Sequence, residues 1–235
     1  MNRKKNILNI FFGLVPFSKL RKKLRFKIEN KINNNKLIII NKDISFTNCI
    51  KDGIEINFTG QNSTVIIHEP VNFKGCSIQA GNNSKVEIFS SKFNISDLHI
   101  SATKTSEVII GENFSCYGCS IENQDEPNLK VMIGKDCLFS NGINIRVSDG
   151  HSIYQLNNSE IINKPKSGVT IGDHVWIGMN CTILKDVSIP SNSVVGACSL
   201  VNKTINQENV VIAGTPAKII RENINWLRKN TDDIE

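Results

Sequence analysis

The residues with most chemical capacity in this chain lie in one short segment, VSDGHSIY, where Asp149 precedes His151 by two positions. An imidazole titrates near neutrality, so it can take a proton from an attacking group and return it later. A carboxylate two residues earlier could fix the ring's tautomer and stabilise the imidazolium. Positions i and i+2 share a face on a strand, but Gly150 marks a corner between them. The alternative is that His151 is a corner residue and Asp149 a turn former. The other three histidines carry less: His174, in IGDHVW, reads as a solvated turn residue, and His68 and His99 read as surface. Seven cysteines are scattered along the chain, and Cys116 with Cys119 forms a lone CxxC without the second pair of a zinc site. Most of the others fall where a small buried side chain is wanted, so reduced structural thiols and a cytoplasmic location are expected.

What must position these residues is a periodic scaffold. Between Val169 and Ile205, Ile171, Ile177, Ile183, Ile189, Val195 and Val201 open consecutive hexads, with small or β-branched residues four places on, from Val175 to Ile205. A period of six suits neither an amphipathic helix nor a simple alternating strand. It suits a β-solenoid, in which three hexads make a coil of about 18 residues and stacking coils bury the hexad openers. Asn, Asp, Gly and Ser collect at the corners, where left-handed backbone is needed. The frame also runs through Ile133, Phe139 and Ile145, then breaks at His151. From Ile133 to Ile171 is 38 residues, so this coil carries about twenty extra, and a long loop over 151–170 interrupts a regular prism as functional loops do. By the same frame Trp176 points outward, which marks a contact surface for a ligand or another subunit.

Upstream, Val65, Val86, Val108 and Val131, each followed by Ile two places on, recur at spacings of 21, 22 and 23. They read as earlier coils, lengthened at one corner, where insertions cost little closure entropy. Downstream, VVIAGTPAKIIRENINWLRKN predicts a helix started by Pro216, with Ile219, Ile220, Ile224 and Leu227 covering the open end of the stack. The expected organisation is a basic segment over residues 1–36, a solenoid over 37–215 and a C-terminal capping helix and tail over 216–235.

The hexads, with VVIAGTPAKII after them, resemble the hexapeptide-repeat acyltransferases, which implies an all-β left-handed parallel β-helix. SDGHSIY, followed by a loop and IGDHVWIG, is similar to the O-acetyltransferases of bacterial capsule, lipopolysaccharide and exopolysaccharide assembly. The resemblance covers residues 131–220 well and 37–130 only in repeat style. It implies acetyl-CoA as donor, His151 as general base in a direct transfer, and Trp176 beside the donor. It also implies a homotrimer with its active sites in the clefts between prisms. Gly178, Gly196 and Ala197 would let the donor approach backbone amides, or else they simply pack at corners. Ala213, Gly214, Pro216 and Lys218 match the family's coenzyme A end, with Lys218 or Lys203 able to meet phosphates or to stay solvated. The γ-class carbonic anhydrases have a similar solenoid, but their HxxxxH pair has no counterpart here, so no metal is expected.

Charge adds a partner. The net charge is +6, yet residues 1–31 hold ten Lys or Arg against one Glu, so the basicity belongs to that segment. Ile7, Ile10, Phe11, Leu14 and Phe17 could face lipid while the cations meet anionic headgroups; alternatively the segment packs on the open end of the solenoid. Its apolar stretch is too short to span a bilayer. No aromatic-and-basic module points to nucleic acid. The function expected is O-acetyl transfer to a sugar hydroxyl of a bacterial surface polysaccharide or its precursor. The alternatives are N-acetyl transfer to an amino sugar or nucleotide-sugar and, in a different class, a non-catalytic scaffold.

Overall fold

The computed structural model describes residues 18–42, 44–47, 51–123 and 126–229. They form an all-β parallel solenoid of about seven turns with one helical segment, α1 (Ser18–Ile32). Each coil between Thr64 and Val201 contributes a strand to each of three sheets. The first sheet runs from Lys36–Asn41 through Gly168–Ile171 to Val187–Ile189. The second contains Leu138–Phe139, Trp176–Ile177, Val194–Val195 and Val211–Gly214, and the third Ile143–Arg146, Thr182–Ile183 and Leu200–Val201. The chain visits them in that order, so a third-to-first corner closes each coil.

The hexad openers do what a stacked core requires. Ile133, Phe139, Ile145, Ile171, Ile177, Ile183, Ile189, Val195 and Val201 are all buried. Four places after an opener the chain must turn in, and Val175, Cys181, Val187, Ser193 and Ser199 are buried there. The residues before these turns adopt left-handed backbone: His174, Asn180, Asp186, Asn192 and Cys198 all have φ between 54° and 60°. Asn and Asp bear that conformation at low cost. The irregular upstream coils are in the same register, with Val65, Val86, Val108 and Val131 side by side in the first sheet. Leu37 pairs with Val65, one coil earlier.

At the N-terminal end, Phe26 of α1 packs on the core beside Phe58, with ring centroids 6.1 Å apart. Lys22, Lys23, Arg25, Lys27 and Lys31 stay exposed. The apolar positions read as a lipid-facing stripe, Ile7 to Phe17, lie outside the described residues. No helix among the described residues is long and apolar enough to cross a membrane.

The C-terminal end differs from the sequence expectation: among the described residues there is no capping helix. Ala217–Arg221 is instead a strand that folds back antiparallel on Val211–Gly214, with Pro216 in the connecting turn. The last coil leaves an open edge of N–H and C=O groups, and a hairpin partner satisfies them where a helix could not. Ile219 packs partly on the core, whereas Ile220 and Leu227 are exposed, so the helix-like spacing never becomes a face. Beyond the hairpin, residues 222–229 run back along the first-to-second corner. They form a strap that touches five coils, at Asn209, His174, Asp136, Ser115 and Phe93.

A charge ladder crosses the outer face of the first sheet. Glu107 lies 2.8 Å from Lys130 and 3.6 Å from Lys85, which also reaches Glu87 at 2.8 Å. The hydrogen bond from Lys130 holds the Glu107 carboxyl below its ordinary range, against a smaller upward push from burial. A carboxyl depressed by folding adds stability above its unfolded value, near 4.3, and that contribution is lost as pH falls through the folded value. Glu107→Gln should therefore cost under about 1 kcal/mol at neutral pH, and the difference from wild type should vanish on acidification below about pH 4. Melting curves at several pH values check this.

Candidate active site

The third-to-first corner of the interrupted coil is built by side chains that pin both ends of the loop. Asn163 is the central group. Its amide N–H donates to Asp149 Oδ2 and to the His151 carbonyl, each at 2.8 Å, and its Oδ1 accepts from the Ile153 N–H at 2.7 Å. From the next coil, Lys185 donates to Asp149 Oδ2. The loop's exit is held by Asp186, whose Oδ1 accepts the N–H groups of Lys166 and Ser167 at 2.8 Å. Between these anchors a short antiparallel arm pairs Tyr154 with Ile161 and ends in the exposed Leu156.

This arrangement leaves His151 exposed at a cleft of about 210 Å³ that Glu126, Ser148, Asp149, Asn163 and Lys164 also line. Its imidazole makes no hydrogen bond among the described residues. Asp149 does not orient the ring; its carboxylate is committed to Lys185 and Asn163. The Lys185 ammonium, then the Asn163 amide and the charge of Arg146, hold the Asp149 carboxyl below the usual range. Asp149 is therefore an ionised tie between coils, and the histidine ring stays without a hydrogen-bond partner among the described residues.

The remaining sequence-derived residues lie elsewhere on the prism. Trp176 points outward from the second sheet, 41% exposed, flanked in register by Leu138 and Val194. Gly178, Gly196 and Ala197 follow at the second-to-third corner. A Cβ on Gly178 would stand 2.7 Å from the Ala197 nitrogen, so stacking alone already requires glycine there. Ala213 and Gly214 pair with Lys218 and Ala217 in the terminal hairpin, with Pro216 between, and Lys218 is exposed. Lys203 is not with them: it is exposed at the third-to-first corner, on the His151 side. One chain thus holds two groups. Asp149, His151 and Lys203 occupy a corner, while Trp176 and the hairpin residues occupy the sheet opposite it.

His174 is not the solvated turn residue its position suggested. Its Nδ1 lies 2.7 Å from Asp136 Oδ2, its Nε2 lies 3.0 Å from the Trp226 carbonyl, and its ring stacks on Trp226. His68 bonds Glu87, and His99 bonds Ser77. No group of three or more potential ligands gathers to hold a metal among the described residues. Burial pushes the Cys137 thiol up to about 12 and raises those of Cys76, Cys119 and Cys181, whereas a hydrogen bond from Cys119 lowers that of the buried Cys116.

Sequence reasoning missed Asn163, Lys185, Trp226 and Arg228. Lys185 was within reach of the frame, since Ile145 pairs with Ile183 and the corner above Asp149 follows from that offset. Asn163 and the strap lie in non-repetitive stretches, where no period points to them.

Residues 168–203 match the family described as bacterial transferase hexapeptide (six repeats). A polysialic acid O-acetyltransferase from Neisseria meningitidis is 41% identical over 100 residues, covering 43% of this chain and 46% of that protein. Crystal structures of two relatives superpose at a TM-score of 0.70. One is a polySia-specific acetyltransferase, 30% identical over 85% of this chain and 88% of that chain. The other is a polysialic acid O-acetyltransferase, 34% identical over 85% of this chain and 92% of that chain. The chain belongs to the hexapeptide-repeat acyltransferases, related to polysialic acid and lipopolysaccharide O-acetyltransferases. It spans about half the length of the curated relatives it matches.

Proposed function

We propose that this protein transfers acetyl from acetyl-CoA to a sugar hydroxyl of a bacterial surface polysaccharide or its precursor. The observation that carries this is the free, exposed imidazole of His151 beside a polar cleft, on a scaffold shared with relatives named for that activity. In the reaction the hydroxyl oxygen attacks the thioester carbonyl carbon as His151 takes the hydroxyl proton. The C–S bond then breaks, and the proton passes from the imidazolium to the departing thiolate. Such a direct transfer needs no acyl-enzyme. Asn163 and Lys185 keep the loop in place while the ring works.

The division of site residues supports a homotrimer. A corner bearing His151 and a sheet bearing Trp176 on the far side of the same prism can cooperate only if each faces a neighbouring copy. A closed ring of head-to-tail contacts supplies that pairing. Complementation tests it. His151→Ala and Trp176→Ala chains, each of low activity alone, should recover when unfolded and refolded together, with an intact pair at about a quarter of the clefts in a random trimer. No recovery from the mixture would overturn the shared cleft.

Acceptor choice is tested by thiol release from acetyl-CoA in the presence of polysialic acid, lipopolysaccharide fragments or amino sugars. Release that depends on a glycan hydroxyl supports O-transfer. Release only with amino sugars would replace it by N-transfer, and coenzyme A binding without turnover on any acceptor would count against this acceptor class. The exposed cations of α1 support a peripheral contact with anionic membrane at the cytoplasmic face. Full-length protein should sediment with phosphatidylserine vesicles at low salt and be released as salt rises. Salt-independent behaviour would remove this contact.

A further inference from the structure

The C-terminal strap has a fixed relation to Trp176. Trp226 is 7% exposed and meets two rings: His174 stacks on it at 4.3 Å and 10°, and Trp176 lies tilted to it at 6.1 Å and 46°. Trp226 is locked in place, its Nε1–H donating to the His174 carbonyl at 2.8 Å and its own carbonyl meeting His174 Nε2. Two residues on, Arg228 donates to Asp136 Oδ1, Ser115 Oγ and the carbonyls of Asn113 and Cys137, and its guanidinium lies over Phe93 at 4.1 Å. This is far more anchorage than a tail needs merely to lie on a surface.

We propose that Trp226 is a positioning residue for the donor side of the site: the strap backs the Trp176 ring and presents its free face to the pantetheine arm of acetyl-CoA. The proposal rests on the donor-side assignment of Trp176. A side chain held on one face before the ligand arrives has less rotamer freedom to lose on binding. Arg228 and the His174–Asp136 pair act one step further back, by holding Trp226.

The test is a double-mutant cycle on the full chain, read as KM for acetyl-CoA and kcat separately. Trp226→Ala should raise KM about tenfold with kcat within about twofold, and Trp226→Phe should restore most of the loss. Trp176→Ala should raise KM at least as much, and adding Trp226→Ala to it should change nothing further, because the second residue acts through the first. Since the chain has two tryptophans, Trp226→Phe leaves Trp176 as the sole reporter. Its fluorescence anisotropy should fall when Arg228→Met loosens the strap. Additive effects, or a Trp226→Ala variant with unchanged KM beside an impaired Trp176→Ala, would overturn the strap's role and leave the donor assignment standing. An unimpaired Trp176→Ala would overturn the donor assignment itself, and the strap's role with it. If Trp226→Ala fails to fold, Trp226→Leu takes its place in the cycle.

Discussion

Replacing His151 by alanine is expected to lower acceptor-dependent release of coenzyme A by about 10²–10⁴-fold, the usual worth of a positioned general base. The melting temperature should not move, because the ring is exposed and supports nothing around it. The two readouts together separate chemistry from folding. Asn163→Ala makes the informative comparison. It keeps the imidazole but releases Asp149, the His151 carbonyl and the Ile153 N–H, so its turnover should fall between wild type and His151→Ala. A His151→Ala enzyme within tenfold of wild type would remove histidine from the base role and send attention to the other cleft residues.

The second large effect is on stability. Phe139 is fully buried in the second sheet and meets Phe114 of the coil below edge-on, with centroids 4.9 Å apart at 80°. Truncation to alanine removes a large apolar side chain, forfeits the ring pair and leaves a cavity that the rigid coils above and below cannot collapse into. A cost of about 3–5 kcal/mol is expected. For a chain of this size that corresponds to a fall in melting temperature of roughly 10 °C. Denaturant titration should show the loss in the midpoint. A loss below about 1 kcal/mol would mean that the coils slide together, contrary to the register of their strands.

These effects also mark what could be read in advance. The hexads from Ile133 to Val201 were legible because each repeats the same demand: an apolar residue inward, then a left-handed corner, then a small or β-branched residue turned in. The upstream coils were legible through their paired Val and Ile positions despite corner insertions. His151 and Trp176 stood out by breaking the pattern, one by interrupting the frame and one by placing an indole where the frame points outward. The C-terminal end misled because Ile219, Ile220, Ile224 and Leu227 are spaced as on a helix, while the demand that decided their structure came from the unpaired edge of Val211–Gly214. Asp149 misled differently: its proximity to His151 in sequence suggested a catalytic pair, but Lys185, 36 residues on, reaches the carboxylate. Contacts between coils are long-range in sequence, and only the periodic ones announce themselves.

The strap alters how such a stack comes apart. A repeat array with contacts only between neighbours behaves like an Ising chain and frays from its ends, each coil opening almost independently of distant ones. Here the terminal hairpin is covalently continuous with a segment fastened as far down as Phe93, so the last coils cannot peel away while Arg228 holds. The expected signature lies in amide hydrogen exchange. Protection should be nearly level from the coil of Ser115 to that of Val195, and it should become graded, weakest at the C-terminal end, once Arg228 is replaced.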